Sequence, residues 1–138
     1  MFKVDRKAAE VARIETEGEH EVTIHKVEEQ LDSRGREVAI VTFRNDEGGT
    51  LNDRFLNQES VWWRVNALVS ATDAPVSDGT EVDFAGKRGS FAEFIAAMIG
   101  LRLVIVTRFE EYVKDGETKR ILRVRSMKKP KPVDADAF

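Results

Sequence analysis

The chain has 138 residues, enough for one domain with a core of its own, and its formal net charge of -3 excludes a uniformly basic nucleic-acid binder. It contains no cysteine, which excludes disulfides, thiolate metal sites and thiol nucleophiles, and we expect no cofactor. Neither a signal peptide nor an apolar run of about 18 residues is present, so a cytoplasmic protein without a membrane partner is expected.

The first part of the chain has the pattern of β-strands. β-Branched residues mix with charged ones at near-alternating positions, and turn-forming residues at 33–36 and 45–49 separate the runs. The three predicted strands are 19–27, 37–44 and 50–56. They form a meander, preceded by residues 1–17 as a separate helix or arm.

The pattern then changes to that of a helix over 60–71. Apolar residues recur there at spacings of three, four and seven, which is typical of an amphipathic helix. Trp62 shares the apolar stripe. Trp63 is rotated from it by about 100° and is therefore expected to be the more exposed ring.

A second helix is predicted over 90–99, after an irregular loop at 73–89. Ser90 and Glu93 have the spacing of a capping box, in which each side chain bonds a backbone N–H that the helix leaves unpaired. Gly100 is expected to end the helix in the left-handed conformation.

The chain ends its predicted fold in a hairpin. Strand 101–109 continues the sheet, Asp115-Gly116 is a typical hairpin turn, and the partner strand is 119–127. Leu122 and Val124 are expected to face the core, because side chains alternate along a strand. Three further side chains are expected on the opposite, cationic face: Arg123, Arg125 and Met127.

These elements predict a mainly β protein with helices, namely a five-stranded OB-type barrel with one or two helices inserted between strands 3 and 4. Residues 1–129 are expected to form a single OB-type domain. Residues 130–138 alternate small and acidic residues without an apolar period, which predicts a flexible acidic tail. The tail residues expected to bind a protein partner are Asp134, Asp136 and Phe138.

A single-stranded nucleic acid needs a cationic groove for its backbone and flat side chains on which its bases can stack. Residues 119–131 hold seven cations and no acid, so we expect a polyanion to be attracted there. The alternative for Phe43 and Phe55 is a place in the core, as is usual for large apolar residues. The candidate binding residues are Arg44, Arg54, Phe55, Arg108, Tyr112, Lys119, Arg123 and Arg125.

Catalysis finds little support in the sequence. His20 and His25 are five apart on one strand and so on opposite faces, which excludes a shared metal. The acidic pairs 28–29 and 110–111 leave a Mg²⁺-dependent nuclease as a third hypothesis. We expect a protein that is not an enzyme and holds no metal.

Several segments resemble a phage-encoded family of single-stranded DNA-binding OB-fold proteins. The resemblance implies a role in phage replication or recombination in the host cell cytoplasm, with the tail recruiting replication or recombination proteins. It leaves a homodimer open. The matching segments are Gly18–Ile24, Ser33–Phe43, Gly49–Phe55, Met98–Val106 and Asp115-Gly116.

The leading hypothesis is a non-catalytic protein that coats single-stranded DNA with little sequence preference. The alternative is a protein-interaction or structural OB-like module without nucleic-acid binding. In that case the exposed tryptophan and the tail contact proteins, and the arginines only keep the protein soluble.

Overall fold

The structure is a computed structural model, and it describes residues 1, 2, 4, 13–84 and 87–131. The tail residues Asp134, Asp136 and Phe138 lie outside the described residues, as does most of the predicted N-terminal arm. In chain order the elements are β1 (Gly18–Leu31), β2 (Glu37–Arg44), β3 (Thr50–Leu56), α1 (Trp63–Thr72), α2 (Ser90–Ala96), β4 (Arg102–Lys114) and β5 (Glu117–Lys128). No helix in the described ranges is long and apolar enough to cross a membrane.

All five strands belong to one antiparallel sheet, in the order β3-β2-β1-β4-β5. The predicted mainly β architecture is confirmed, with five strands and two helices between β3 and β4. β3 and β5 are the two edges. No ladder joins them within the described part of the chain, so the sheet is not closed.

Apolar side chains alternate with polar ones along the strands, so the apolar ones form the core on one side of the sheet. Ala39, Val41 and Phe43 of β2 are completely buried, and Phe55 of β3 lies opposite Ala39 on the same side. The helices cover this side with further buried side chains, among them Leu68, Phe91 and Ile95. Because side chains alternate, the even-numbered residues from Ile40 to Arg44 and from Thr50 to Arg54 lie on the other side of the sheet.

The first helix begins three residues later than predicted and ends one residue later. A 3₁₀ turn over Glu59–Val61 comes before α1. Trp62 is partly buried, and its Nε1–H donates to Oδ1 of Asn57 at 3.0 Å. The Trp63 side chain is 64% exposed, so the prediction that Trp63 is the more exposed ring is confirmed.

The predicted capping box of α2 is wrong. Gly89 occupies the N-cap position, and Ser90 is already inside the helix, where its hydroxyl donates to the Asp83 carbonyl at 3.3 Å. The helix also ends earlier than predicted, at Ala96. Gly100 has φ 92° and donates its N–H to the Ile24 carbonyl, which fixes the end of the helical turns against β1.

β4 and β5 are longer than their sequence patterns indicate. Asp115 and Gly116 both have positive φ, as a tight hairpin turn requires, which confirms the predicted turn. Every residue from Glu110 to Ile121 is exposed. Residues 108–123, called the arm below, therefore form a two-stranded ribbon that extends beyond the core.

One side-chain direction in β5 was predicted wrongly. Met127 lies opposite Ile105 and packs against the core, rather than on the cationic face. The reason is a bulge: β4 pairs Val106 with Ser126 and Thr107 with Val124, so Arg125 is an extra residue in β5. An extra residue reverses the inward and outward directions of the side chains that follow it, so Met127 faces the core.

Candidate nucleic-acid interface

The outward side of β2 and β3 is free of carboxylates. We call it the β2–β3 face, and it consists of Ile40, Thr42, Arg44, Thr50, Asn52 and Arg54. The acidic residue of β3, Asp53, has the opposite parity and faces inward. On the neighbouring strand β1, Glu28 lies opposite Ile40 and is ion-paired with Lys26.

Arg44 and Arg54 are the two cations of the β2–β3 face. Both are exposed, and neither side chain is ion-paired with another described residue. Between them, Thr42 lies opposite Asn52, and its hydroxyl donates to the Asn52 Oδ1 at 2.8 Å. The two arginines are therefore available to an anion, with uncharged polar side chains between them.

The arm brings four predicted residues onto one of its faces. Arg108 lies directly opposite Arg123, and Tyr112 lies opposite Lys119. The two residues on each strand are four positions apart, and an even spacing places them on the same face. Tyr112 is 42% exposed, so part of its ring is open to a stacking partner. This face offers cations and one aromatic ring together.

One carboxylate interrupts the arm. Glu110 lies on the same face as Arg108 and forms an ion pair with Arg123, whose Nε lies 2.8 Å from the Glu110 Oε2. The pair is exposed on both sides, so an anionic ligand can compete for Arg123. On the other face, the Arg120 guanidinium lies 4.1 Å from the centre of the Phe109 ring.

The β2–β3 face and the arm lie on either side of a cleft. The cleft has a volume of about 580 Å³, and it is lined on one side by Leu51 and Asn52 of β3 and on the other by Ile121 and Leu122 of β5. Arg123 is close enough to Asp53 to contribute to its pKa. Among the described cations Arg13 lines the cleft, and Arg54 and Arg123 each lie within two residues of a lining residue on their own strand.

The segment before β1 crosses the open side of the sheet at one end of this cleft. Its Ile14 N–H donates to the Thr50 carbonyl at 2.9 Å, and its Thr16 carbonyl accepts from the Thr107 hydroxyl at 2.8 Å. These bonds link β3 to β4. They tie the edge strand β3 to β4, the neighbour of the other edge strand, although no ladder joins β3 to β5 among the described residues.

Phe55 requires a correction. Its side chain is 1% exposed, and Phe43 is completely buried, so the core alternative is confirmed for both rings. Phe55 has the inward parity of β3, and the Arg64 guanidinium lies 4.7 Å from its ring centre. A ring without an exposed face cannot stack on a base, and Phe55 is left out of the interface.

The expected basic surface over residues 119–131 is also corrected. Carboxylates from elsewhere in the chain neutralise part of it: Arg123 pairs with Glu110, Lys128 with Glu19, and Lys129 with Asp73. Arg125 is exposed but is the extra residue of the bulge, outside the paired arm positions. The uninterrupted cations lie on the β2–β3 face instead.

Burial and hydrogen bonding shift the pKa values of Asp53 and Asp32 in opposite directions. Burial raises the pKa of Asp53, an effect that the ion pair with Arg64 opposes in part. For Asp32 the backbone N–H of Arg36 stabilises the charged form and lowers the pKa, and the Arg36 side chain adds a 2.8 Å hydrogen bond.

Opposite pH dependences follow for Asp53→Asn and Asp32→Asn. A folded-state pKa above the unfolded value stabilises the protein at low pH, and this contribution is lost as pH rises. The wild type should therefore lose stability relative to Asp53→Asn as pH rises from about 4.

A folded-state pKa below the unfolded value stabilises the protein at neutral pH, and this contribution is lost as pH falls below about 4. Asp32→Asn should therefore be less stable than the wild type at neutral pH and equally stable in acid. Urea midpoints of both variants across this range test the signs. Parallel profiles would contradict them.

Metal chemistry finds no site in the described ranges. No group of three or more His, Asp or Glu side chains there could hold a metal ion. Glu110 and Glu111 point to opposite faces of the arm, and the His20 ring bonds the Thr16 carbonyl at 2.8 Å.

No family model matches the chain, and no curated protein is significantly similar to it in sequence. The resemblance to the phage family stays a prediction from the segments quoted above. Function has to be argued from the groove.

Two groove residues were missed by the sequence reasoning, which looked only for cations and rings. Asn52 shares the parity of Arg54, and the alternation over 50–56 would have placed both on one face. Ile121 carries no such signal. Its position beside β3 depends on how the two edges approach each other.

Proposed function

We propose that this protein binds single-stranded DNA without catalysis, along the β2–β3 face and the arm of an open OB-type barrel. OB folds are partly open five-stranded barrels that bind oligonucleotides on strands 2 and 3 and on the loops between strands 1 and 2 and between strands 4 and 5. The strand order β3-β2-β1-β4-β5 suits such a barrel with an opening between β3 and β5. In this proposal the arm corresponds to the loop between strands 4 and 5.

The observation that carries the proposal is the carboxylate-free β2–β3 face, with Arg44 and Arg54 unpaired among the described residues. Exposed arginines without carboxylate partners attract phosphates, and their planar guanidinium groups bond phosphate oxygens in pairs. Tyr112 then supplies a stacking surface beside Arg108 and Lys119, as single-stranded ligands require.

The biological setting rests on the sequence resemblance alone. It points to phage replication or recombination, with Asp134, Asp136 and Phe138 of the tail recruiting a replication or recombination protein.

Salt dependence is the sharpest test of the proposed function. The groove offers about four phosphate contacts, from Arg44, Arg54, Arg108 and Lys119, which predicts that log K falls against log salt with a slope of about -3. Between 50 and 200 mM salt this is a loss of about 50-fold in affinity for labelled oligo-dT. A duplex of the same length is the control and should bind more weakly. A slope near zero would reject the proposal.

The alternative is a protein-interaction module, and the 64% exposure of Trp63 favours it. Trp63 begins α1 and belongs to neither strand of the β2–β3 face. In this case neither oligo-dT nor duplex binds with the predicted salt dependence, and the same titration decides between the two functions.

A further inference from the structure

The cleft between β3 and the arm combines apolar walls with polar groups. Ile14, Leu51 and Leu122 supply apolar surface, and Ile121, which is 41% exposed, stands at its border. Asn52 and Arg13 supply the polar side chains. A flat heteroaromatic ring with polar edges fits such a lining better than a purely apolar or a purely charged ligand does.

The free edge of β3 offers backbone groups to this cleft. Residues two apart in an antiparallel strand direct their N–H and C=O groups to the same side. The Thr50 carbonyl accepts from Ile14 at the free edge, so the N–H and C=O of Asn52 point to that edge as well. Within the described ranges no backbone group bonds them across the edge. A donor next to an acceptor matches the polar edge of a nucleobase.

The Asn52 side chain adds a preference among bases. Its Oδ1 accepts the Thr42 hydroxyl at 2.8 Å, which leaves the Nδ2 amino group as the donor of this amide. No described residue accepts from it. Arg13 is also a donor only. Thymine presents carbonyl oxygens to such donors, whereas adenine has no carbonyl.

We propose that this cleft is a base-binding subsite, and that Asn52 makes it prefer thymine to adenine. The proposal rests on the single-stranded DNA binding proposed above. Ile121 packs against the face of the base, and the Tyr112 ring stands opposite Lys119, two residues further along the arm on the same face, where the next base can stack. Arg54 lies two residues from Asn52 on the same face of β3, and Arg123 lies two residues from Ile121 on the same face of β5. Both offer positive charge to the adjoining phosphates, which compete with Glu110 for Arg123.

The test compares dT and dA oligonucleotides of equal length by fluorescence anisotropy, with the wild type and Asn52→Ala. Self-stacking of the dA strand weakens its binding to every variant equally, so the dT-to-dA affinity ratio isolates the contribution of the protein. Loss of one hydrogen bond should lower this ratio about fivefold in Asn52→Ala. Asn66→Ala, an exposed asparagine of α1, is the matched control and should leave the ratio unchanged.

A second variant keeps the shape of the side chain. Asn52→Asp replaces the donor by an acceptor, so the ratio should fall further, while the new charge weakens binding of both strands alike. If both strands bind and Asn52→Ala leaves the ratio unchanged, the subsite is rejected and the DNA-binding function stands. If neither strand binds at low salt, both proposals fail.

Discussion

Reversing both charges in Arg44→Glu/Arg54→Glu should weaken binding of single-stranded DNA by about 100-fold at low salt, since a hydrogen bond to a charged group contributes about 1.5 kcal/mol or more. Both side chains are exposed and lie on the carboxylate-free β2–β3 face, so the change removes two phosphate contacts and adds repulsion. Anisotropy titration with oligo-dT measures the loss. The slope against log salt should also become shallower by about 1.4.

The matched control is Lys87→Glu/Lys129→Glu, which changes the net charge by the same amount. Both residues are exposed, and they pair with Glu93 of α2 and with Asp73 at the end of α1, on the side of the sheet that the helices cover. This control should lose little affinity, because distant surface charges are largely screened by salt. Equal losses in the two double variants would mean that only net charge matters, and the groove would be rejected.

Removing the Arg64 side chain should destabilise the fold by about 3 kcal/mol, because breaking a largely buried ion pair leaves an uncompensated charge. Arg64 donates to the Asp53 carboxylate and, at 2.7 Å, to the Arg54 carbonyl. It is the link between α1 and the edge strand β3. For a chain of this size the melting temperature of Arg64→Ala should fall by about 10 °C, measured by circular dichroism.

The double variant Arg64→Ala/Asp53→Asn distinguishes two causes of the stability loss: the unpaired Asp53 charge and the lost packing of the Arg64 side chain. It removes both charges, so it should recover part of the stability that Arg64→Ala loses. Arg102→Ala is the surface control, because its pair with Glu21 is exposed and should contribute less than about 1 kcal/mol. A loss in Arg64→Ala no larger than in this control would contradict the role assigned to Arg64.

Much of the fold could be predicted from short-range patterns. Alternation over 37–44 and 50–56 indicated two strands, and the observed β2 and β3 have the predicted bounds. Asp115-Gly116 predicted the hairpin turn because few other residue pairs adopt positive φ at both positions. The angular separation of Trp62 and Trp63 predicted which ring is more exposed.

The candidate site could be predicted only in part. Arg44 and Arg54 were found from residue type and position. Phe55 was wrongly assigned to the binding surface, because neighbouring residues of a strand point to opposite faces and the residue next to an outward-facing arginine faces the core. The basic run near the C-terminus was misleading for another reason. Its lysines meet Glu19 and Asp73, residues far away in sequence that no local pattern connects to them.

By itself the sequence determined the number and order of the strands, the bounds of β2 and β3 and the hairpin turn, because these follow from the alternation of side chains and from local backbone preferences. Only the tertiary structure decided which charges are neutralised, where the bulge at Arg125 shifts the register, and that Asn52 and Ile121 border one cleft. These depend on the packing of strands distant in sequence, since an ion pair or a groove forms wherever folding places its members within a few ångströms of each other.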